Sequence, residues 1–406
     1  MIKKIPTPAL RPGMFVVDTG LSWMDNPYLF ATQGEVDANA IESLRKEGYK
    51  EVFVDTGKGH YDWHLTTDKS DEQQVRDGVA HSGNGRRRER APLAEEVEKA
   101  KILYDDSLNL AREFMTGVAK DGEVDYQRSQ AFVEEVIGSV TRNPDAMVSL
   151  TKLRSFDEYT YTHCVNVSVL ATAFGDFMGL GETELRDLGM AALFHDLGKA
   201  LVSQEILNKP GKLTEEEFNE MKQHPVRSFK ILRDRGNVPK AILRGIVEHH
   251  EKFNAKGYPR SLGGDDIHPF ARIISVTDVY DALSSRRVYK PPMSPNKALT
   301  IIYGMRGQDF HPGHAERFIK FMGIFPVGSL VRLSTGEHAV VTGSNPDSPL
   351  RPTITIAFDS AMKPKARVTI DLAVKAQGTA EIKIEECLDH EAVGVDPAAI
   401  LAEATA

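Results

Sequence analysis

Cysteine is almost missing from this chain: Cys164 and Cys387 are the only two in 406 residues. Two thiols without a CxxC pair exclude a disulfide framework and argue against structural zinc held by thiolates. A basic excess is missing as well. Lys and Arg number 50 against 58 Asp and Glu, a formal net charge of -8, which argues against a general binder of nucleic acid polymers. No stretch reaches the roughly 18 consecutive apolar residues of a membrane span. The start, MIKKIPTPALRPGMF, puts prolines and Arg11 where a signal peptide needs an apolar run. No internal repeat is visible. These absences predict a reduced, cytoplasmic chain. The hydrophobic share of 41% and charged share of 27% suffice for ordinary cores. What is plentiful is histidine, 13 in all.

Domain organisation follows from changes of pattern. Residues 1–65 read as a small α/β unit, with strands at Met14–Val17, Tyr28–Ala31 and Val52–Val54. In it, a helix capped by Asp37 carries Ile41 and Leu44 and stops at Gly48. Residues 66–91 form a polar linker. Its Arg86, Arg87, Arg88 and Arg90 lack interleaved aromatics, so they read as a solvated segment rather than a nucleic-acid patch. Residues 92–150 are connecting helices. Leu93, Val97, Ala100, Tyr104, Ala111, Phe114 and Val118 fall at three- and four-residue steps, with a polar skip at Ser107. This is one long amphipathic helix. It serves as a connector or as a homodimer seam, three heptads being too few to decide.

Residues 151–325 are a helical block, in which Thr214 and Glu217 form a capping box and Pro239 opens a helix. In 326–375, the runs VGSLVRL, HAVVTG, TITIAF and RVTIDL alternate like antiparallel strands. Residues 376–406 read as a loose tail.

Five histidines and two aspartates stand out within the helical block. They are His163 in YTHCVNV, His195-Asp196 in LFHDLGK, His224 in KQHPV, His249-His250 in VEHHE, and Asp278 in SVTDVYDAL. Each alone is weak, because a lone core histidine is more often hydrogen-bonded than ligating. Together they sit on successive helices among apolar neighbours. A buried carboxylate there costs several kcal/mol unless a cation satisfies it. Imidazole with carboxylate suits Fe, Mn, Ni or Zn. Adjacent residues on a helix diverge by about 100°, so His195 and Asp196 can face two neighbouring ions. His249 and His250 diverge likewise, but both reach one ion if the helix ends there.

The segments HDLGK, HP, HHEKFNAKGYP and DVYDALSSRRVYK, in that order, resemble the HD-GYP domain, a subgroup of the HD superfamily of metal-dependent phosphohydrolases. The resemblance runs from about Asp157 to Pro326 and includes NKPGKLTEEE. Residues 1 to about 130 resemble a module of unknown function that often precedes such domains in bacteria. The implied fold is mainly α, an HD-type helical bundle, flanked by the small N-terminal α/β and C-terminal antiparallel β units. The implied activity is hydrolysis of cyclic di-GMP to linear pGpG, and in some members to GMP, in second-messenger signalling.

By position, the resemblance implies that His163, His195, Asp196 and Asp278 hold one metal. His224, His249 and His250 hold the second, with Asp196 bridging. Lys199 matches the lysine of HDxGK, Gly257, Tyr258 and Pro259 match the GYP loop beside the substrate, and Arg287 and Lys290 match a basic pair on a substrate phosphate. Some members bind a third ion through a glutamate at the position of Tyr159, so two divalent ions are expected here, Fe or Mn first and Ni or Zn as alternatives. Lys199 is expected to orient a phosphate oxygen or protonate the leaving 3′-oxygen. Asp281, on the face of Asp278, is expected to position Lys199 or a water on the metal. Two departures bear on the loop: Asn254-Ala255 replaces the usual Asp-Gly, and Val288 replaces a proline. The glycine change matters if that position needs φ > 0. Two readings compete with the enzyme, a nucleotide receptor without turnover and an HD phosphohydrolase acting on another nucleotide. A second copy of the chain and a protein bound through the N-terminal module remain open as partners.

Overall fold

The computed structural model describes residues 2–18, 34–36, 38, 41–42, 51–59, 90–120, 122, 124–153, 159–209, 211–285, 293–345, 348, 350–374, 382–390 and 392–403. At the N-terminus, β1 (Ile2–Pro6), β2 (Met14–Asp18), β3 (Gly34–Glu35) and β4 (Glu51–Gly59) pair antiparallel in the order β1-β4-β2-β3. Met14 and Val16 on β2, with Val52 and Val54 on β4, alternate into a small core with Leu10, Val36 and Ile41. The expected strands at 14–17 and 52–54 are present. β1 was not foreseen: Ile2 and Ile5 are three apart and do not show the two-residue period of a half-buried strand. The expected strand Tyr28–Ala31, Asp37, Leu44, Gly48 and the arginines 86–88 lie outside the described residues.

Helices follow: α1 (Leu93–Lys120), α2 (Tyr126–Arg142), α3 (Pro144–Leu153), α4 (Tyr159–Met178) and α5 (Glu182–Phe194). A 3-10 turn (Leu197–Leu201) leads to α6 (Gln204–Leu207), α7 (Glu215–Met221), α8 (His224–Arg235) and α9 (Lys240–Glu248). The last three of the block are α10 (Pro269–Ser284), α11 (Pro295–Gly304) and α12 (Pro312–Met322). The stripe foreseen on α1 is the buried one, from Val97 through Val118. Ser107 sits on that buried face, and its hydroxyl is satisfied by the Leu103 carbonyl. The capping box at α7 forms, with Glu217 N donating to Thr214 Oγ1 at 3.3 Å and Thr214 N to Glu217 Oε2 at 2.7 Å. Pro239 caps α9.

α4 is buried almost all round, which marks it as the central helix. It packs against α1, α2, α5 and α10. His163, Asn166, Ser168 and Thr172 are therefore carried into the interior by a helix that has no solvent face to offer them.

The four foreseen C-terminal strands are β5 (Leu330–Leu333), β6 (His338–Gly343), β7 (Thr353–Phe358) and β8 (Pro364–Asp371). The loose tail is corrected. A fifth strand, β9 (Ile384–Leu388), completes the order β8-β7-β6-β5-β9, and α13 (Pro397–Glu403) packs Ile400 and Leu401 onto α1. β9 was hidden because its Glu385 and Glu386 are exposed and interrupt any apolar alternation. Among the described residues no helix is long and apolar enough to cross a membrane.

Candidate metal centre

The seven sequence-singled residues converge in one buried pocket. His163 comes from α4, His195 caps the end of α5, and Asp196 opens the 3-10 turn. His224 starts α8, His249 and His250 follow the last residue of α9, and Asp278 lies on α10. The turn at residue 195 separates the neighbours His195 and Asp196, and the end of α9 turns both of its histidines the same way. Potential ligand atoms fall into two groups, each within 4.8 Å: His163, His195 and Asp278 in one, Asp196, His224, His249 and His250 in the other.

Asp196 faces both groups. Its Oδ2 lies 3.5 Å from His163 Nε2 and 3.3 Å from His195 Nε2, while Oδ1 lies 3.1 Å from His224 Nε2 and 4.0 Å from His249 Nε2. Two contacts keep the 3-10 turn against α8. Ser228 Oγ accepts from Gly198 N at 2.7 Å and donates to the His195 carbonyl at 3.0 Å. A Cβ on Gly198 would stand 2.2 Å from the His224 carbonyl oxygen, so the glycine of HDLGK is required by close approach.

Backbone carbonyls set the tautomers. Nδ1 of His195, His224 and His249 donates to Ala192, Met221 and Ile246 carbonyls at 2.7, 2.7 and 2.6 Å. Each neutral ring then presents an Nε2 lone pair inward. His224 Nε2 and His249 Nε2 stand 3.4 Å apart with no proton between them on that assignment. His195 Nε2 and Asp196 Oδ1 are buried without a hydrogen-bond partner. Opposed lone pairs and an orphaned carboxylate oxygen are what a bound cation satisfies, so the donor set fits a metal.

Charge follows the same geometry. Burial would push the Asp196 carboxyl up, but the Lys199 ammonium beside it holds it well below the usual carboxylate range. Burial lowers His250 to about 3 and holds His249 and His224 below the ordinary imidazole value, so these rings are neutral. His163 differs. Burial opposes its protonation, yet hydrogen bonds to Asp278 and Asp281 raise it to about 9.

Lys199 donates to Asp196 Oδ2, and its side chain is 21% exposed at the pocket rim. Asp281 requires a correction. It does not meet Lys199: Oδ2 accepts from His163 Nδ1 at 2.7 Å, and Oδ1 accepts from Asn166 and Ser285 at 2.7 and 2.8 Å. One helical turn puts it beside Asp278, but farther from the pocket, on the outer nitrogen of the histidine that Asp278 holds from inside at 3.0 Å.

The loop 254–260 folds over His250. Tyr258 N donates to the His250 carbonyl at 3.2 Å, and the Tyr258 ring lies 4.8 Å from the His250 ring. A Cβ on Gly257 would fall 2.4 Å from Lys252 N, and the Tyr258-Pro259 peptide is cis. Ala255 adopts φ +62, so this position does use the left-handed region that a glycine would fill without strain. The loop keeps its course through Asn254 N and Phe253 N, which donate to Gln308 and Asp309 carbonyls at 2.8 and 3.0 Å. Two carboxylates missed by sequence reasoning hold it down. Glu251 accepts from Arg260 N at 2.7 Å and Leu262 N at 3.0 Å, and Glu248 accepts from His268 N at 2.7 Å and from Arg244 and Arg260. Their nearness to His249-His250 was the available signal. Arg287, Lys290 and Val288 lie outside the described residues, and nothing is described of the Tyr159 side chain.

A helical bundle that gathers histidines and aspartates around a shared HD dipeptide defines an HD-type metal-dependent phosphohydrolase. Comparison with known families agrees: an HD domain matches residues 140–313, a domain of unknown function matches 2–129, and a KOW domain associated with HD domain matches 330–380. A cyclic di-GMP phosphodiesterase of Pseudomonas aeruginosa is 34% identical over 382 residues, 93% of this chain and 90% of that one. The chain belongs to this family of HD-domain cyclic di-GMP phosphodiesterases. A cyclic di-GMP phosphodiesterase response regulator of Xanthomonas campestris is 39% identical over 42% of this chain and 47% of its own. A 3′3′-cGAMP-specific phosphodiesterase of Vibrio cholerae is 38% identical over 36% of this chain and 31% of its own.

Proposed function

We propose that this chain is a metal-dependent phosphodiesterase that opens cyclic di-GMP to linear pGpG. The observation that carries the chemistry is the orphaned Asp196 Oδ1 facing inward-pointing Nε2 atoms. The substrate is argued from the family, since the Pseudomonas relative extends over nearly the whole chain. His163, His195, Asp278 and Asp196 form one ligand set, and His224, His249, His250 and Asp196 form the other. Two divalent ions of the Fe or Mn class suit carboxylate-imidazole donors, with Ni or Zn as alternatives. Such ions, when bound, supply Lewis acidity toward a phosphodiester oxygen and toward a water.

The chain's own groups do the rest. Asp196 fixes the separation of the two sets, and the carbonyls and Asp281 keep the imidazoles aimed inward. Burial alone would lower the Lys199 ammonium, but Asp196 and Asp278 raise it. It therefore enters the reaction protonated, able to hold a phosphate oxygen or pass its proton to the leaving 3′-oxygen. Tyr258 offers its ring to a guanine, while the resemblance assigns Arg287 and Lys290, outside the described residues, to a substrate phosphate.

The test is to incubate metal-reconstituted protein with cyclic di-GMP and, separately, with 3′3′-cGAMP, and to identify the products. Accumulation of pGpG, lost on chelation and restored by the metal, supports the proposal. Tight binding of cyclic di-GMP without product would make the chain a receptor, and cleavage of 3′3′-cGAMP alone would move the substrate.

A further inference from the structure

Tyr104 lies on α1, inside the span 2–129 matched by the domain of unknown function and before the HD match at 140–313. It is nevertheless joined to the metal centre. The buried Tyr104 hydroxyl donates to Asn166 Oδ1. Asn166 Nδ2 donates to Asp281 Oδ1 at 2.7 Å and to the Thr151 carbonyl at 3.2 Å. Asp281 Oδ2 accepts from His163 Nδ1 at 2.7 Å, and His163 Nε2 reaches Asp278 at 3.0 Å.

We infer that Tyr104 is a positioning residue for the metal centre, so that the last helix of the N-terminal module sets the geometry of the His163 half. Each step has a direction. An asparagine amide buried among a carboxylate, a carbonyl and a hydroxyl has one good orientation: its two N–H groups on the two acceptors and its oxygen on the one donor. Tyr104 is that donor. Without its hydroxyl, Asn166 Oδ1 is left buried and unsatisfied, and the amide that shares Asp281 Oδ1 with Ser285 is no longer fixed in its one good orientation. Such a network is strong in a low-dielectric interior only while every member is satisfied. The other half is supported differently, since His224 and His249 donate to carbonyls of their own chain segments at 2.7 and 2.6 Å. The effect of Tyr104 is therefore confined to one ligand set.

This inference rests on the two-ion reading above, and metal affinity separates the two claims. Cobalt(II) alone is titrated into the metal-free full chain and the two binding steps are followed by absorbance. Tyr104→Phe keeps the ring and removes the hydroxyl; one step is expected to weaken about tenfold or more, the scale for lost partners of ligating histidines, and the other to stay unchanged. Asn166→Ala breaks the same connection from the HD side, so it serves if the tyrosine variant does not fold. Combined, the two substitutions should weaken that step no more than Asn166→Ala does alone, because both remove one connection. Ser107→Ala, a buried hydroxyl on the same helix bonded to Leu103, should leave both steps alone. Wild-type affinities in Tyr104→Phe, or losses that simply add, overturn the role of Tyr104. A wild-type chain that binds no cobalt overturns the metal-centre reading beneath it.

Discussion

Asp196 and Glu248 are both buried carboxylates beside the same pocket, and they are satisfied in opposite ways. Glu248 accepts from Arg244, Arg260 and the His268 backbone, so both of its oxygens are occupied. Glu251 takes two backbone N–H groups, and Glu96, in the first turn of α1, takes Ser139 and the Nε–Nη2 edge of Arg142 at 2.7–2.8 Å. Asp196 takes Lys199 on one oxygen and leaves the other without a hydrogen bond. Fully bonded carboxylates hold backbone and helices in place. Asp196, with an oxygen to spare, suits a bound cation, since burying an unpaired polar atom costs about 1–3 kcal/mol.

The sharpest way to break this contrast is Asp196→Ala. Because Asp196 faces both candidate ligand groups, its loss should cut phosphodiesterase turnover by at least about a thousandfold, the several kcal/mol of transition-state stabilisation that a bound metal supplies. Turnover within tenfold of wild type would place Asp196 among the architectural carboxylates. Glu96→Gln is the converse case, with its effect on stability. Burial works against the Glu96 charge, but the hydrogen bonds from Arg142 and Ser139 outweigh it and lower the pKa. A carboxyl lowered on folding stabilises the protein above its unfolded value, about 4.3, and that contribution is lost as pH falls through the folded value. Urea unfolding should therefore find Glu96→Gln weaker by about 2 kcal/mol at neutral pH, with the gap closing below pH about 4. A gap that persists in acid would mean the charge contributes nothing.

The same contrast explains what the sequence made legible. The candidate ligand residues were visible because their types and order suit the chemistry, and so was the α1 stripe from Val97 to Val118, because a long period repeats. Residues that work through a second residue were not visible. Asn166 is an ordinary polar residue in an apolar helix until Asp281 and Tyr104, 115 and 62 positions away, are brought beside it. Asp281 was placed on the correct helix face, but spacing alone does not say which neighbour a carboxylate meets across a helix interface. Ser228 and Glu251 hold backbone groups, which leave no trace in a pattern of side-chain types. β9 escaped for a related reason: its place is fixed by pairing with β5, Val331 opposite Cys387, rather than by its own apolar period.

The smallest effect concerns the loop that Glu248 and Glu251 hold in place. Ala255 sits at φ +62, a region that suits glycine, so its backbone is strained while its hydrogen bond to the Lys252 carbonyl, 2.8 Å, is intact. An L-residue in the left-handed region costs roughly 1–2 kcal/mol, and part of that relief is offset because glycine loses more freedom on folding. Ala255→Gly should therefore raise stability by about 1 kcal/mol or somewhat less, seen as a higher urea midpoint with an unchanged slope. The KM for cyclic di-GMP should not change, because the loop's course is set by Gln308, Asp309 and the two buried glutamates rather than by the alanine methyl group. A raised KM alongside raised stability would show that the strain at Ala255 holds Tyr258 in its working position. The loop would then belong with Asp196, as a place where a local cost is retained for substrate.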